Sequence, residues 1–103
     1  MPTETLKLVT IVAETVLTDQ LLAALKRLGV SGYTVTEASG EGSRGRRVGE
    51  VPGDNCRLET LVTEDLATRI LDLLAAQYFA NYAVVAWTTD VQVVRGEKYR
   101  GAP

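Results

Sequence analysis

The sequence predicts an α+β fold: a ferredoxin-like βαββαβ chain with a four-stranded antiparallel sheet and both helices on one of its faces. Three observations carry this. Hydrophobic spacing changes between alternating and helical in the order strand, helix, strand, strand, helix, strand. Each helical stretch opens on a threonine followed by an acidic residue, Thr18-Asp19 and Thr63-Glu64. The first is closed by Gly29, and a β-branched run, Tyr33-Thr34-Val35-Thr36, follows at once.

Taken in order, residues 6–13 form a β-rich run, and Thr18 is the expected N-cap of a helix carrying Leu21, Leu22, Leu25 and Leu28. A second strand is expected over 33–39 and a third over 57–62, the latter preceded by the turn signals Pro52-Gly53-Asp54-Asn55. Thr63 then caps a second helix marked by Leu66, Ile70, Leu73, Leu74 and Gln77. Through Tyr78-Phe79-Ala80-Asn81-Tyr82 that helix leads into a last strand, 83 to about 94.

In the first strand Leu6, Leu8 and Val12 alternate with Val9, Ile11 and Ala13, and in the last Val85, Trp87, Val91 and Val93 alternate with Val84, Ala86 and Val94. Both sheet faces are thus apolar. Two helices cover one face, so the other calls for a partner surface, and a homo-oligomer is expected. Trp87 itself is read as core, and Cys56 as a small residue at a strand start.

At 103 residues the chain has room for a single domain, 1–103, with one modest core. A formal charge of −2 argues against general nucleic-acid binding, which needs an excess of Lys and Arg over a face. The absence of histidine removes Ser-His triads and His-based zinc patterns, and the lone Cys56 excludes an internal disulfide. Neither a leader-like N-terminus nor an apolar run long enough to span a bilayer is present, so a cytoplasmic location is expected.

Function is sought first in the loop from Gly40 to about Asn55, 16 residues that read Gly40-Glu41-Gly42-Ser43-Arg44-Gly45-Arg46-Arg47 at their start. A connection of that length is usually functional or disordered. Gly40, Gly42, Gly45 and Gly49 can turn successive N–H groups toward an anion, and Arg44, Arg46 and Arg47 add guanidinium forks suited to phosphate oxygens. The pattern is neither a P-loop nor a dinucleotide fingerprint, and a solvated, flexible loop reads equally well. Arg57 and Glu59 share a strand face, where they pair with each other or point at a ligand. The 78–82 aromatics are either core or a wall for a flat base, and Arg95-Gly96 ends the last strand.

The run Gly29-Val30-Ser31-Gly32-Tyr33-Thr34-Val35-Thr36-Glu37, with Lys7-Leu8-Val9-Thr10, resembles the PII signalling superfamily. Gly40-Glu41-Gly42-Ser43-Arg44 and Tyr78-Phe79-Ala80-Asn81-Tyr82-Ala83 resemble the PII-like proteins of inorganic-carbon metabolism, associated with bicarbonate transporters or carboxysomes. The resemblance implies a homotrimer with an adenine-nucleotide site in the cleft between subunits and a mobile T-loop over about 41–55. It further implies base and ribose contacts from Thr34, Thr36 and Glu59, and phosphate contacts from Gly40, Gly42, Arg44, Arg47 and Arg95. Arg44, Arg46 and Arg57 are the implied anion or bicarbonate residues.

The Gly- and Lys-rich polyphosphate loop of nitrogen-type members is replaced here by Phe79-Ala80-Asn81-Tyr82-Ala83. The resemblance therefore implies ADP or AMP in preference to ATP, with cyclic AMP a further adenylate ligand, and no catalysis. A bicarbonate transporter or carboxysome-related protein is the implied partner. Two other classes compete with this one. A nucleotide phosphatase on the same fold would use Asn55 or Asn81, but the sequence shows no nucleophile paired with a base. An RNA-binding module needs exposed aromatics on central strands and a basic sheet face.

Overall fold

The structure is a computed structural model and describes residues 1–42, 45–46 and 54–99. Strand β1 covers Glu4–Glu14, helix α1 Thr18–Leu28, β2 Thr34–Ala38, β3 Glu41–Gly42, β4 Gly45–Arg46, β5 Asn55–Val62, α2 Glu64–Gln77 and β6 Val85–Val93. The four long strands form one antiparallel sheet in the order β2-β5-β1-β6. This is the expected ferredoxin-like topology, with the first and third long strands in the middle and β2 and β6 at the edges.

Alternation decides which side chains face the helices. Val9, Ile11 and Ala13 of β1 and Cys56 and Leu58 of β5 join Leu21 and Leu25 of α1 and Ile70 and Leu74 of α2 in one buried cluster. Cys56 stands at the start of β5, as expected, and is buried. Tyr78, just past α2, is buried too, and its hydroxyl donates to Gln20 Oε1 at 3.2 Å, tying the end of one helix to the start of the other.

Helix ends follow local chemistry with one correction. Thr63 caps α2 as expected: its backbone is extended and its Oγ1 accepts the Leu66 N–H at 3.3 Å. Gly29 closes α1 at φ +102°, with Val30 N–H reaching back to the Leu25 carbonyl at 3.1 Å. Thr18, however, is the first residue inside α1 rather than its cap. A 3-10 turn over Thr15–Leu17 drops Leu17 into the core and runs directly into the helix, so the cap position falls on a leucine with no side chain to offer.

The third long strand begins at Asn55, two residues before the position expected from sequence. As a central strand it is paired on both sides, Asn55 lying opposite both Glu14 and Ala38, and this double ladder extends into residues whose composition reads as turn. The connection before it has structure of its own, since β3 and β4 pair as a two-residue ladder. Of the expected 41–55 loop, Arg44, Arg47 and Gly49 lie outside the described residues.

Trp87 corrects a second expectation. It belongs to the face opposite the helices and is 40% exposed, beside Val85 at 45%. Period-two alternation separates two faces, but it does not say which the helices cover, and Trp87 falls on the bare one. Trp87 lies on an edge strand, whereas the RNA-binding reading asks for aromatics on central ones.

Candidate functional site

The predicted site residues of β2 and β5 meet on the bare sheet face, because pairing puts Thr34 opposite Glu59 and Thr36 opposite Arg57. On the other side of β5 the same rows continue through Thr10 and Val12 to Trp87 and Val85. Glu59 is held from two directions. The hydroxyl of fully buried Thr10 donates to Glu59 Oε2 at 3.3 Å, and Arg57 Nη2 pairs with the same oxygen at 3.5 Å. The Arg57 guanidinium also stands 5.7 Å from the centre of the Trp87 ring. Arg57 and Glu59 therefore do pair, as their spacing suggests, while both keep solvent-accessible surface.

The segment entering β2 is fixed by Thr60, whose Oγ1 donates to the Gly32 carbonyl at 2.6 Å. Thr34 and Glu59 there line a cavity of about 430 Å³ whose floor includes Leu8 and Leu61. Thr36 lies at the other end of β2, in a separate cavity of about 450 Å³ formed with Glu37, Asn55, Cys56 and the Thr15–Leu17 turn. Asn55 is almost fully buried there, and among the described residues neither of its amide atoms has a hydrogen-bond partner. Asn81, the other amide singled out in the sequence, is exposed in the turn after α2.

The remaining predicted residues divide. Gly40 follows β2 on the side of Thr36; its φ lies outside the left-handed region and space is open where a Cβ would stand, so no backbone strain there demands glycine. Gly42 and Arg46 are placed by the β3–β4 ladder. Arg44 and Arg47 cannot be added to the site, being outside the described residues. Arg95 follows β6, the sheet edge opposite β2, and its own backbone turns at φ +66°. Within one chain it does not join Thr34, Thr36 and Glu59.

Sequence reading missed the 3-10 turn over Gly96–Tyr99, which brings Lys98 and Tyr99 into the cavity of Thr34 and Glu59. Four residues are too few for periodicity to show; the Gly96 that follows Arg95 was the available hint. Elsewhere on β1, Lys7 lies opposite Asp90 and donates to its carboxylate. That hydrogen bond holds the Lys7 ammonium above its ordinary pKa against partial desolvation, with the Asp90 and Glu64 charges adding to it. Among the described residues no group of His, Cys, Asp and Glu could hold a metal ion, and no helix is long and apolar enough to cross a membrane.

The element order and sheet topology define a small ferredoxin-like protein with helices on one face. More narrowly, the model of the nitrogen regulatory protein P-II family matches residues 6–98, and the chain belongs to that family. It is similar to a PII-like signalling protein of Thermus thermophilus, at 52% identity and a TM-score of 0.83 over 96% of this chain and 99% of that one. CPII of Thiomonas intermedia bound to ADP, AMP and acetate matches at 27% identity and TM-score 0.87, covering 98% of this chain and 100% of that one. The same protein bound to ADP and bicarbonate matches at 29% and 0.85, covering 95% and 97%.

Proposed function

We propose that this chain is a non-catalytic PII-like sensor that assembles as a homotrimer, binds ADP or AMP in the clefts between subunits and responds to bicarbonate. Residues 1–103 act as one domain, and the loop after β2 carries the ligand state to a partner in inorganic-carbon uptake or in the carboxysome.

The observation that carries the reading is the row of Thr34, Thr36, Arg57 and Glu59 along the β2 edge, with Gly40 at its end. It offers hydroxyls and a carboxylate for a base and ribose, and a guanidinium for an anion. Arg44, Arg46 and Arg47 of the loop, and Arg95 from a neighbouring copy, complete the phosphate and bicarbonate contacts in this reading. Assembly is supported by the uncovered face with Val85 and Trp87. Ligand choice is supported by CPII, whose structures hold ADP, AMP and bicarbonate. Coupling follows from a loop with two states, in which a ligand that prefers one shifts the population.

Calorimetric titration of ADP and AMP into the protein, with and without bicarbonate in otherwise matched buffer, tests the proposal, alongside sedimentation equilibrium. Saturable binding by a trimer, with an affinity that bicarbonate changes, is expected. A monomer, or no heat with either nucleotide under both conditions, would overturn it; an affinity indifferent to bicarbonate would remove the carbon-sensing half.

A further inference from the structure

The 430 Å³ cavity beside Thr34 and Glu59 has a wall that the sheet does not supply. After β6 the chain turns at Arg95, and the 3-10 turn Gly96–Tyr99 carries Lys98 and Tyr99 to that cavity, across the sheet order from its own strand. The start of the turn is seated tightly. A Cβ on buried Gly96 would stand 2.5 Å from Glu4 Oε2 and 2.9 Å from Glu4 Cβ, so only glycine lets the turn lie this close to β1. Tyr99 also lines a second cavity, of about 160 Å³, with Leu28, Leu66 and Arg69. Tyr99 thus borders both spaces.

We propose that Tyr99 is the platform on which the base of the bound nucleotide stacks; the inference rests on the nucleotide reading above. The cavity combines an apolar floor of Leu8 and Leu61 with an aromatic wall and a carboxylate, which suits a flat, partly polar ring. Both hydrogen bonds described for Glu59 reach Oε2, which leaves Oε1 to accept from an exocyclic amine. Lys98 Nζ stands 5.5 Å from the Tyr99 ring centre. An entering base takes the place of that ammonium over the ring, and Lys98 is then released toward phosphate charge.

The test is calorimetric titration of ADP and of adenosine into the wild-type protein, Tyr99→Ala and Tyr99→Phe, with thermal melts to confirm folding. Loss of a base–aromatic stack weakens binding roughly ten-fold or more. Tyr99→Ala is expected to weaken both ligands to that extent, and Tyr99→Phe to bind both as the wild type does. Wild-type affinity for ADP in Tyr99→Ala would overturn the inference while leaving the nucleotide site in place, as would an equal loss in Tyr99→Phe or a loss confined to ADP. A wild-type protein that binds neither ligand would overturn the nucleotide reading and this inference with it.

Discussion

Replacing Glu59 by glutamine separates the two roles its surroundings allow. The substitution keeps size and one carbonyl acceptor, so Thr10, which donates at 3.3 Å from a fully buried position, keeps a partner. What is lost in the free protein is the charge facing Arg57 at 3.5 Å, between side chains that are 45% and 29% exposed. Such a pair contributes at most about 1 kcal/mol, and the Arg57 guanidinium retains the Trp87 ring. For a chain of this size that amounts to a fall in melting temperature of less than about 8 °C. A hydrogen bond from a ligand amine or ribose hydroxyl to a carboxylate is worth about 1.5–3 kcal/mol, which converts to a roughly ten- to hundred-fold loss of ADP affinity. Calorimetry with ADP and a thermal melt, both at neutral pH, therefore give different answers for Glu59→Gln: a small change in stability and a large one in binding. Unchanged ADP affinity would refute the placing of Glu59 in the site. A melting temperature that drops far beyond the bound above would show that its carboxylate is chiefly structural.

Two further outcomes concern the fold. Gly29→Ala puts a side chain at φ +102°, and although space around it is open, the backbone strain is expected to destabilise by about 1–2 kcal/mol in urea unfolding. A stability equal to wild type would contradict the turn geometry. Because the Asp90 hydrogen bond raises the Lys7 pKa in the folded chain, its stabilisation is complete below the ordinary lysine range and is lost as pH rises through the raised value. Urea titrations at a series of alkaline pH values should show the wild type losing stability faster than Lys7→Met above that range; parallel curves would show that the pair contributes nothing.

The parts of the fold legible in the sequence are those where one local rule decides. Thr63 followed by Glu64 and Asp65 marks a helix start that nothing downstream alters, and Gly29 marks a helix end for the same reason. Where tertiary pairing decides, local chemistry misleads. Asn55 looks like a turn residue and is a strand residue because β1 and β2 both pair with it. Thr18 looks like a cap, but burial of Leu17 moves the helix boundary. At the candidate site, alternation is enough to place Arg57 and Glu59 side by side. The arrival of Tyr99 beside Thr34 depends on the path taken after Arg95, which no periodicity records.

Trp87 is the one tryptophan in the chain, and it stands on the uncovered face beneath an arginine, away from the packed core. This gives the molecule a built-in optical reporter with almost no background. Its emission registers the polarity of that face, so assembly through it, as proposed above, would change the colour of its light without any dye. An engineered label on the helices would sit on the far side of the sheet, where it would register much less.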